Sequence, residues 1–333
     1  MAYTRTNYVN GTVPPINDDN LNNNELQTLK NSLRQDGGGE IINGNFDHWQ
    51  RGTSFSSTFS NDYITDRFAI TTTKLSGVIK STDVPADIGA SNSLKTATTI
   101  ADTVLAVWQD IENPNNIIEN KETTVSFWAK STIAQTLSVV LRNVTQAVNY
   151  QIINYNITTS WQKFEITFNA VGGWLIDDVI RINLSNNNIS SPSDVIFSQV
   201  KFEIGDVGTD FIPRTEAEEL RDCRRYYFSS TYNDSGTTSR LTTGQCFSAT
   251  TAGIIVNFPE QMRIAPTFAT TGNFAVSNAT GIGIAVTSLT QTNLNVNAAE
   301  LDAVVAAGLV AGNATILRKN ADATADLTFD AEL

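Results

Sequence analysis

Between residues 66 and 204 the chain is a succession of short runs in which apolar and polar residues alternate, with no helical periodicity among them. A period of two puts successive side chains on opposite faces of a strand, so each run can form a half-buried β-strand. Val125, Phe127 and Ala129 share one face of 123–130, and Phe164, Ile166 and Phe168 share one face of 162–169. The other runs are 66–73, 103–110, 136–143, 150–157, 179–184 and 194–204. Asn113-Pro114-Asn115-Asn116 and Ser185-Asn186-Asn187-Asn188 read as turns between them. Many short strands without crossover helices predict an antiparallel β-sandwich.

A length of 333 residues suggests two domains, or one with appendages. The predicted division is 1–39, 40–214 and 215–333. In the first segment a helix starts near Asn20 behind an Asn/Asp cap and stops at Gly37. Leu21, Leu26, Leu29 and Leu33 line one narrow seam of it. So short a helix is marginal alone, and its seam needs either its own domain or the same helix in sister chains. In the third segment Thr215 and Glu218 form a capping box for a short helix that continues to Tyr227. Strand-like runs follow at 245–258, 267–275, 282–289, 315–318 and 325–330, while 298–309 fits helix and strand equally. The expected class is therefore mainly β: a sandwich with a short N-terminal helix and a C-terminal β domain.

The net charge of −12 argues against a nucleic-acid partner, because phosphate binding needs a basic footprint. It equally disfavours anionic lipid. Uncharged polymers such as glycans stay open. No run of about 18 apolar residues predicts a membrane span. The start of the chain reads as polar, without an export signal, which implies synthesis in a cytosol. Cys223 and Cys246 read as buried free thiols.

The stretch Asn43-Gly44-Asn45-Phe46-Asp47-His48-Trp49-Gln50-Arg51-Gly52-Thr53-Ser54-Phe55, followed by Asp66-Arg67-Phe68, resembles the opening of carbohydrate-binding-module-like jelly rolls in bacteriophage tail and structural proteins. Phe202-Glu203-Ile204-Gly205 and Phe211-Ile212-Pro213-Arg214 resemble their close, and Glu219, Cys223, Arg225, Tyr226 and Tyr227 the element that follows. Phe258-Pro259, Met262-Arg263, Ala265-Pro266-Thr267 and the final Phe329-Asp330-Ala331-Glu332-Leu333 are similar to a distal β domain of such fibres. Asn10-Gly11, Pro14, Ile16-Asn17 and Asn20-Leu21-Asn22 resemble phage fibre starts. The resemblance implies a jelly-roll tail fibre of the virion, a homotrimer that binds a host-surface glycan or protein and joins other virion proteins through its N-terminal segment. A head or collar fibre with no host ligand is the alternative, and a glycan-degrading tailspike a third.

Read residue by residue, 41–55 is the first strand of the jelly roll, with Trp49 a core anchor and Arg51 paired to a carboxylate such as Asp66. His48, the single histidine, cannot build a two-histidine metal site, and no Gly-x-Ser-x-Gly elbow accompanies it. The carboxylate groups Asp177/Asp178, Glu216/Glu218/Glu219 and Asp206/Asp210 lack the arrangement of a glycosidase pair. No enzyme is expected, and no cofactor beyond one structural Ca²⁺. The resemblance implies that ion, and Glu40, Asn45, Asp47 and Asp194 supply oxygen donors at the jelly roll's first and last strands. Of the tryptophans, Trp49, Trp108 and Trp128 read as core, while Trp161 at a strand start and Trp174 after Gly172-Gly173 are the ligand candidates.

Overall fold

The computed structural model describes residues 41–74, 76–86, 89–99, 103–112, 118–189, 193–277 and 281–333. The predicted N-terminal helix, its leucines 21, 26, 29 and 33, and Glu40 lie outside the described residues, as does the 113–116 turn.

Among the described residues, twelve antiparallel strands form a sandwich of two sheets. Sheet A runs β1(Ser54–Ser57), β4(Ser76–Ser81), β5(Ser93–Thr98), β12(Ser193–Ile204), β7(Thr123–Ser131), β10(Gln162–Phe168). Sheet B runs β2(Ser60–Thr65), β3(Phe68–Thr72), β6(Thr103–Glu112), β11(Val179–Ile189), β8(Gln135–Asn143), β9(Val148–Ile157). Their inner faces meet on Val125, Phe127, Leu137, Val139, Ile180, Ile182, Phe197 and Phe202; alternation puts each of the first three pairs on one side, and a bulge in β12 lets Phe197 and Phe202 share a face. Phe127 touches Phe164 at 5.5 Å, Tyr155 at 5.4 Å and Phe197 at 6.0 Å between centroids. Each such ring contributes roughly 1.5–3 kcal/mol by burial.

Several local expectations change. Residues 41–50 form no strand: Asn43 and Phe46 have φ of 60° and 55°. The buried Asn43 amide ties the loop by donating to His48 O (2.9 Å), Thr65 Oγ1 (3.0 Å) and Asp66 O (3.0 Å) and accepting from His48 N (3.0 Å). Ser185 to Asn188 make no turn either. Beyond a bulge at Asn183/Ser185, β11 continues against β6 to Ile189.

The helix α1(Glu216–Arg224) has the capping box Thr215–Glu218 and stops at Arg225, short of the predicted end, because Tyr227 opens a strand. Beyond it lies a second core. Here β14(Arg240–Cys246), β15(Thr251–Asn257), β19(Ala298–Val305), β18(Gly283–Leu294), β17(Phe274–Ser277) and β20(Ala314–Lys319) close a barrel in that order. The three-stranded sheet β13(Tyr227–Ser229), β21(Asp326–Asp330), β16(Thr267–Thr271) packs with it. The ambiguous 298–309 is thus a strand. The run 245–258 divides into two strands around a hairpin, and 267–275 divides at Gly272, whose φ of 69° suits glycine.

Charged groups join the two cores. Arg51 reaches Asp330 (3.1 Å), Glu332 (3.4 Å) and Asp66 (3.7 Å), with its guanidinium 3.6 Å from the Tyr227 ring centroid. Arg67 pairs with Glu332, donates to Asp110 O (2.6 Å) and stacks on Tyr226 at 3.5 Å. Gln50 donates to Tyr227 O at 2.9 Å.

Candidate functional site

The outer face of sheet A carries a groove of about 350 Å³, lined by Ser126, Phe127, Trp128, Lys163, Gln199, Asp210 and Phe211. Register explains the lining. With Val125, Phe127 and Ala129 turned into the core, Ser126, Trp128 and Lys130 of β7 must face outward. Lys163 pairs with Trp128 and Glu165 with Ser126 across β10, and Ser198 and Lys201 oppose the same two residues from β12. Between Ser198 and Lys201 the register shifts, and Gln199 there has φ 50°. This bulge re-aims Gln199 toward the groove.

The groove's far wall is the segment after β12. Gly205 N donates to Glu122 O at 2.8 Å, and the chain then turns back over the sheet. Two buried charges fix it. Lys201 Nζ donates to Asp210 O (3.1 Å) and to Thr209 Oγ1, and lies 3.2 Å from Glu203. Glu203 also accepts from Thr209 Oγ1 at 2.7 Å and Thr209 N at 2.5 Å. Asp210 and Phe211 are thereby set opposite Trp128.

Trp161 stands one residue before β10 on the same face. Continuing the register puts it opposite Lys130 and one diagonal step from Trp128, about 7–8 Å away. Its Nε1 donates to Asp83 Oδ1 (3.2 Å), and the Lys130 ammonium sits 5.2 Å from its ring centroid. Lys130 pairs with Asp83 at 2.7 Å, and Lys163 with Glu165 at 2.7 Å and Asp210 at 3.5 Å. Burial pulls Lys163 down, but Glu165 and Asp210 outweigh it and hold the ammonium above its ordinary range. Lys130 and Lys163 are thus internally neutralised, as are Lys95 by Asp194 and Lys201 by Glu203 on the same face. The arrangement offers two half-buried indole faces, hydroxyl and amide groups, and charges already satisfied.

The candidate residues separate. Trp161 is half-buried at the groove's margin. Trp174 is not available: its ring is 5 % exposed, 4.7 Å from Tyr150, and its Nε1 donates to Val171 O at 3.2 Å. Glu119 accepts from Gly173 N and Trp174 N, both at 3.0 Å, and draws the glycine loop inward. Trp128, expected in the core, lines the groove instead. The signal was in the alternation, since residue 128 has the parity opposite to 125, 127 and 129. Trp49 and Trp108 are buried, as expected.

Of the proposed cation donors, Asn45 and Asp47 lie together, while Asp194 stands apart from them. Asn45 Nδ2 donates to Asp47 Oδ2 (2.9 Å), and Asp47 Oδ1 accepts from Asn92 Nδ2 (2.6 Å). Asp194 pairs with Lys95 at 2.6 Å, four residues along β12 from Ser198, which bonds Asn92 O. That spacing is about 13 Å of strand. Among the described residues no group of three or more His, Cys, Asp or Glu is placed to hold a metal.

Of the acidic groups weighed for catalysis, Asp178, Asp210, Glu218 and Glu219 have structural partners. Asp177 and Asp178 lie in a turn and not on a strand. Asp178 is buried and accepts from Leu175 N (2.8 Å), Asn143 (2.8 Å) and Gln146 (2.7 Å). Burial pushes its carboxyl up, and those bonds outweigh it and hold it below the ordinary range. Glu218 caps α1 and Glu219 accepts from Asn43 N. His48 is buried beside Tyr232, and burial lowers its pKa, so its ring is neutral near pH 7.

No protein-family model matches the chain, and no curated protein matches it. Solved structures match over about half of it. A family 4 carbohydrate-binding module is 20 % identical, with 50 % of this chain and 99 % of that chain covered, at a TM-score of 0.34. The enzymatically active domain of bacteriophage CBA120 tailspike protein 4 is 18 % identical, with 50 % and 21 % covered, at 0.33. A CBM61 module in complex with beta-1,4-galactotriose is 8 % identical, with 50 % and 99 % covered, at 0.32.

Proposed function

We propose that the chain is a structural protein of a bacteriophage virion, a homotrimeric tail fibre whose sandwich holds a host-surface glycan in the groove of sheet A. The fibre part of this reading is supported by the ordered motifs from Asn43 to Arg51 and from Phe202 to Arg214. The binding part is carried by one observation: Trp128 and Trp161 stand side by side on an outward face whose lysines are neutralised by Asp83, Glu165 and Asp210.

The C–H faces of pyranose rings pack on indole faces, while sugar hydroxyls bond to groups such as Ser126, Gln199 and the carboxylates already present. Because no lysine of the face is left unbalanced, the groove favours a neutral sugar over an acidic one. One sugar per groove binds weakly, and three chains on one fibre multiply the contact. No bond of the sugar is broken in this reading, so the chain binds and does not cleave.

The test is an array of neutral and acidic oligosaccharides probed with the purified protein, then titration of any hit. Binding of neutral members that Trp128→Ala and Trp161→Ala both remove is the expected result. Binding that survives both substitutions places the ligand elsewhere. Binding restricted to acidic members contradicts the charge argument.

A further inference from the structure

The connection between β4 and β5 sends one carboxylate across the outer face of sheet A. Asp83 stands two residues past the end of β4, and its backbone is tied to both flanking strands. Asp83 N donates to Ser81 Oγ at 3.1 Å, and Asp83 O accepts from the buried Ser93 Oγ at 2.7 Å. From there the side chain reaches past β5 and β12 to Lys130 of β7. Oδ1 and Oδ2 each lie 2.7 Å from Lys130 Nζ, and Oδ1 also accepts from Trp161 Nε1 at 3.2 Å. On the strand between, register sets Ile196 opposite both Lys95 and Lys130 and turns it outward, yet it is 4 % exposed. The face between β5 and β7 is therefore covered, as such a crossing requires.

The other groove cation is held differently. Lys163 has two carboxylates, Glu165 at 2.7 Å and Asp210 at 3.5 Å, so loss of either leaves it the other. Lys201 and Glu203 are buried together under the wall, with side chains 6 % and 3 % exposed. Lys95 and Asp194 pair on β5 and β12, away from both indoles. Among the described residues Asp83 is the one carboxylate paired with Lys130, and Lys130 is the cation set against a groove indole, 5.2 Å from the Trp161 centroid. Asp83 thus has two separable actions. Its oxygen fixes the edge of Trp161, and its charge cancels the ammonium beside that ring. An amide in its place keeps an acceptor for the indole N–H and drops the charge.

We infer that Asp83 is the specificity-determining residue of the groove, admitting neutral ligands and turning away anionic ones by cancelling Lys130 beside Trp161. This rests on the groove being the binding site. An anionic ligand that approaches Trp161 meets a neutralised ammonium and a carboxylate whose side chain is 47 % exposed, so like charge opposes it. Without that carboxylate the Lys130 ammonium is free to donate a charge-assisted hydrogen bond to an acidic sugar, which is stronger than a neutral one. Loss of Glu165 opens no such place, because Asp210 still faces Lys163.

Two measurements on the full-length chain test this, one of them without sugar. Trp49, Trp108 and Trp174 are buried, so quenching of tryptophan emission reads Trp128 and Trp161. Iodide reports the access of an anion to these rings, and acrylamide that of a neutral molecule. At a constant ionic strength of about 0.1 M, where charges are screened over about 10 Å, Asp83→Asn is expected to raise the iodide-to-acrylamide quenching ratio about twofold, and Glu165→Gln to raise it less. In binding, Asp83→Asn is expected to raise affinity for a galacturonate oligomer relative to its neutral methyl ester by about tenfold. Asp83→Ala, which also frees the indole, is expected to weaken both. An unchanged quenching ratio in Asp83→Asn overturns the inference, and so does an equal rise in Glu165→Gln. So does an Asp83→Asn protein that binds neutral sugars and gains no acidic one. A parent that binds no glycan defeats the proposed function instead, and the quenching ratio then still decides whether Asp83 sets the charge that the groove accepts.

Discussion

The two outer faces of the sandwich carry the same ingredients and meet different fates. Sheet A sets Trp128 and Trp161 beside Lys130 and Lys163. Sheet B sets Trp108 beneath Arg181, whose guanidinium lies 4.3 Å from the ring centroid and grips Asp110 through two bonds of 2.7 Å. Yet Trp108 is buried and Trp128 is open to a groove. The cover makes the difference. On sheet B Tyr63 packs against Trp108 and Arg181 lies over its ring, and C-terminal residues hold that layer: Tyr63 donates to Leu333 O at 3.2 Å, Arg67 pairs with Glu332, and Arg263 lies 3.3 Å from Glu112. On sheet A the segment after β12 forms only a wall. An indole beside a cation is therefore not by itself a binding site, and what the rest of the chain does with the face decides.

Removing that cover is the strongest way to break the contrast. Arg67→Met leaves the buried Glu332 with Arg51 alone, at 3.4 Å, and ends the stacking on Tyr226. Truncating one member of a buried pair costs about 3–5 kcal/mol, and a loss of that size is expected in urea unfolding, with tryptophan emission shifted to the red as Trp108 meets water. A cost under about 1 kcal/mol would mean that apolar packing, and not the charged layer, closes sheet B. Trp174→Ala is expected to cost a similar ~3–5 kcal/mol, because its ring fills space against Tyr150. It should leave any ligand affinity of the folded protein unchanged, which separates a core indole from a groove indole.

Trp128→Ala comes next in size. Loss of a stacked ring is expected to weaken glycan binding by about 10- to 100-fold, or roughly 1.4–3 kcal/mol. Its effect on urea unfolding should be smaller than that of Trp174→Ala. Equal effects of the two substitutions on affinity would erase the distinction between the faces.

The alternation in 123–130 and 162–169 made the inner face of sheet A legible, and with it the sandwich. It also held the outward parity of Trp128, which the habit of assigning indoles to cores concealed. The strands β1, β4 and β5 escaped notice because SFSS, SGVIKS and SLKTAT are short and rich in serine, and their pairing partners rather than their own composition make them strands. Trp174 misled because two glycines read as an exposed loop, and the carboxylate that pulls this loop inward, Glu119, is 55 positions away. The layer joining Arg51 to Glu332 spans 281 positions. No local pattern announces such a contact. The Arg51–Asp66 pair could be named because both members belong to one motif, and Arg67 defeated the same logic by turning to the C-terminus.

The smallest expected effect tests whether that charged layer also sets a pH response. Burial pushes the Asp66 carboxyl up to about 6, against the pull of Arg51 and of the Gln50 bonds, while Glu332 raises it further. The folded chain thus holds this proton more tightly than the unfolded chain, where the ordinary value is 3.8. The stability that protonation supplies is fully present below about pH 4 and is lost as pH rises through about 6. Between pH 7 and pH 5 the parent gains roughly 1 kcal/mol from this group, and Asp66→Asn cannot. Melting of both proteins across that range checks the sign, with the difference between parent and variant moving in the parent's favour as the solution is acidified. A difference that stays flat would mean that Arg51 keeps Asp66 ionised at pH 5, making the layer a permanent ion network. A pH-dependent difference would make the cover over sheet B firmer in acid, while the groove of sheet A, whose charges are partly open to solvent, keeps its form.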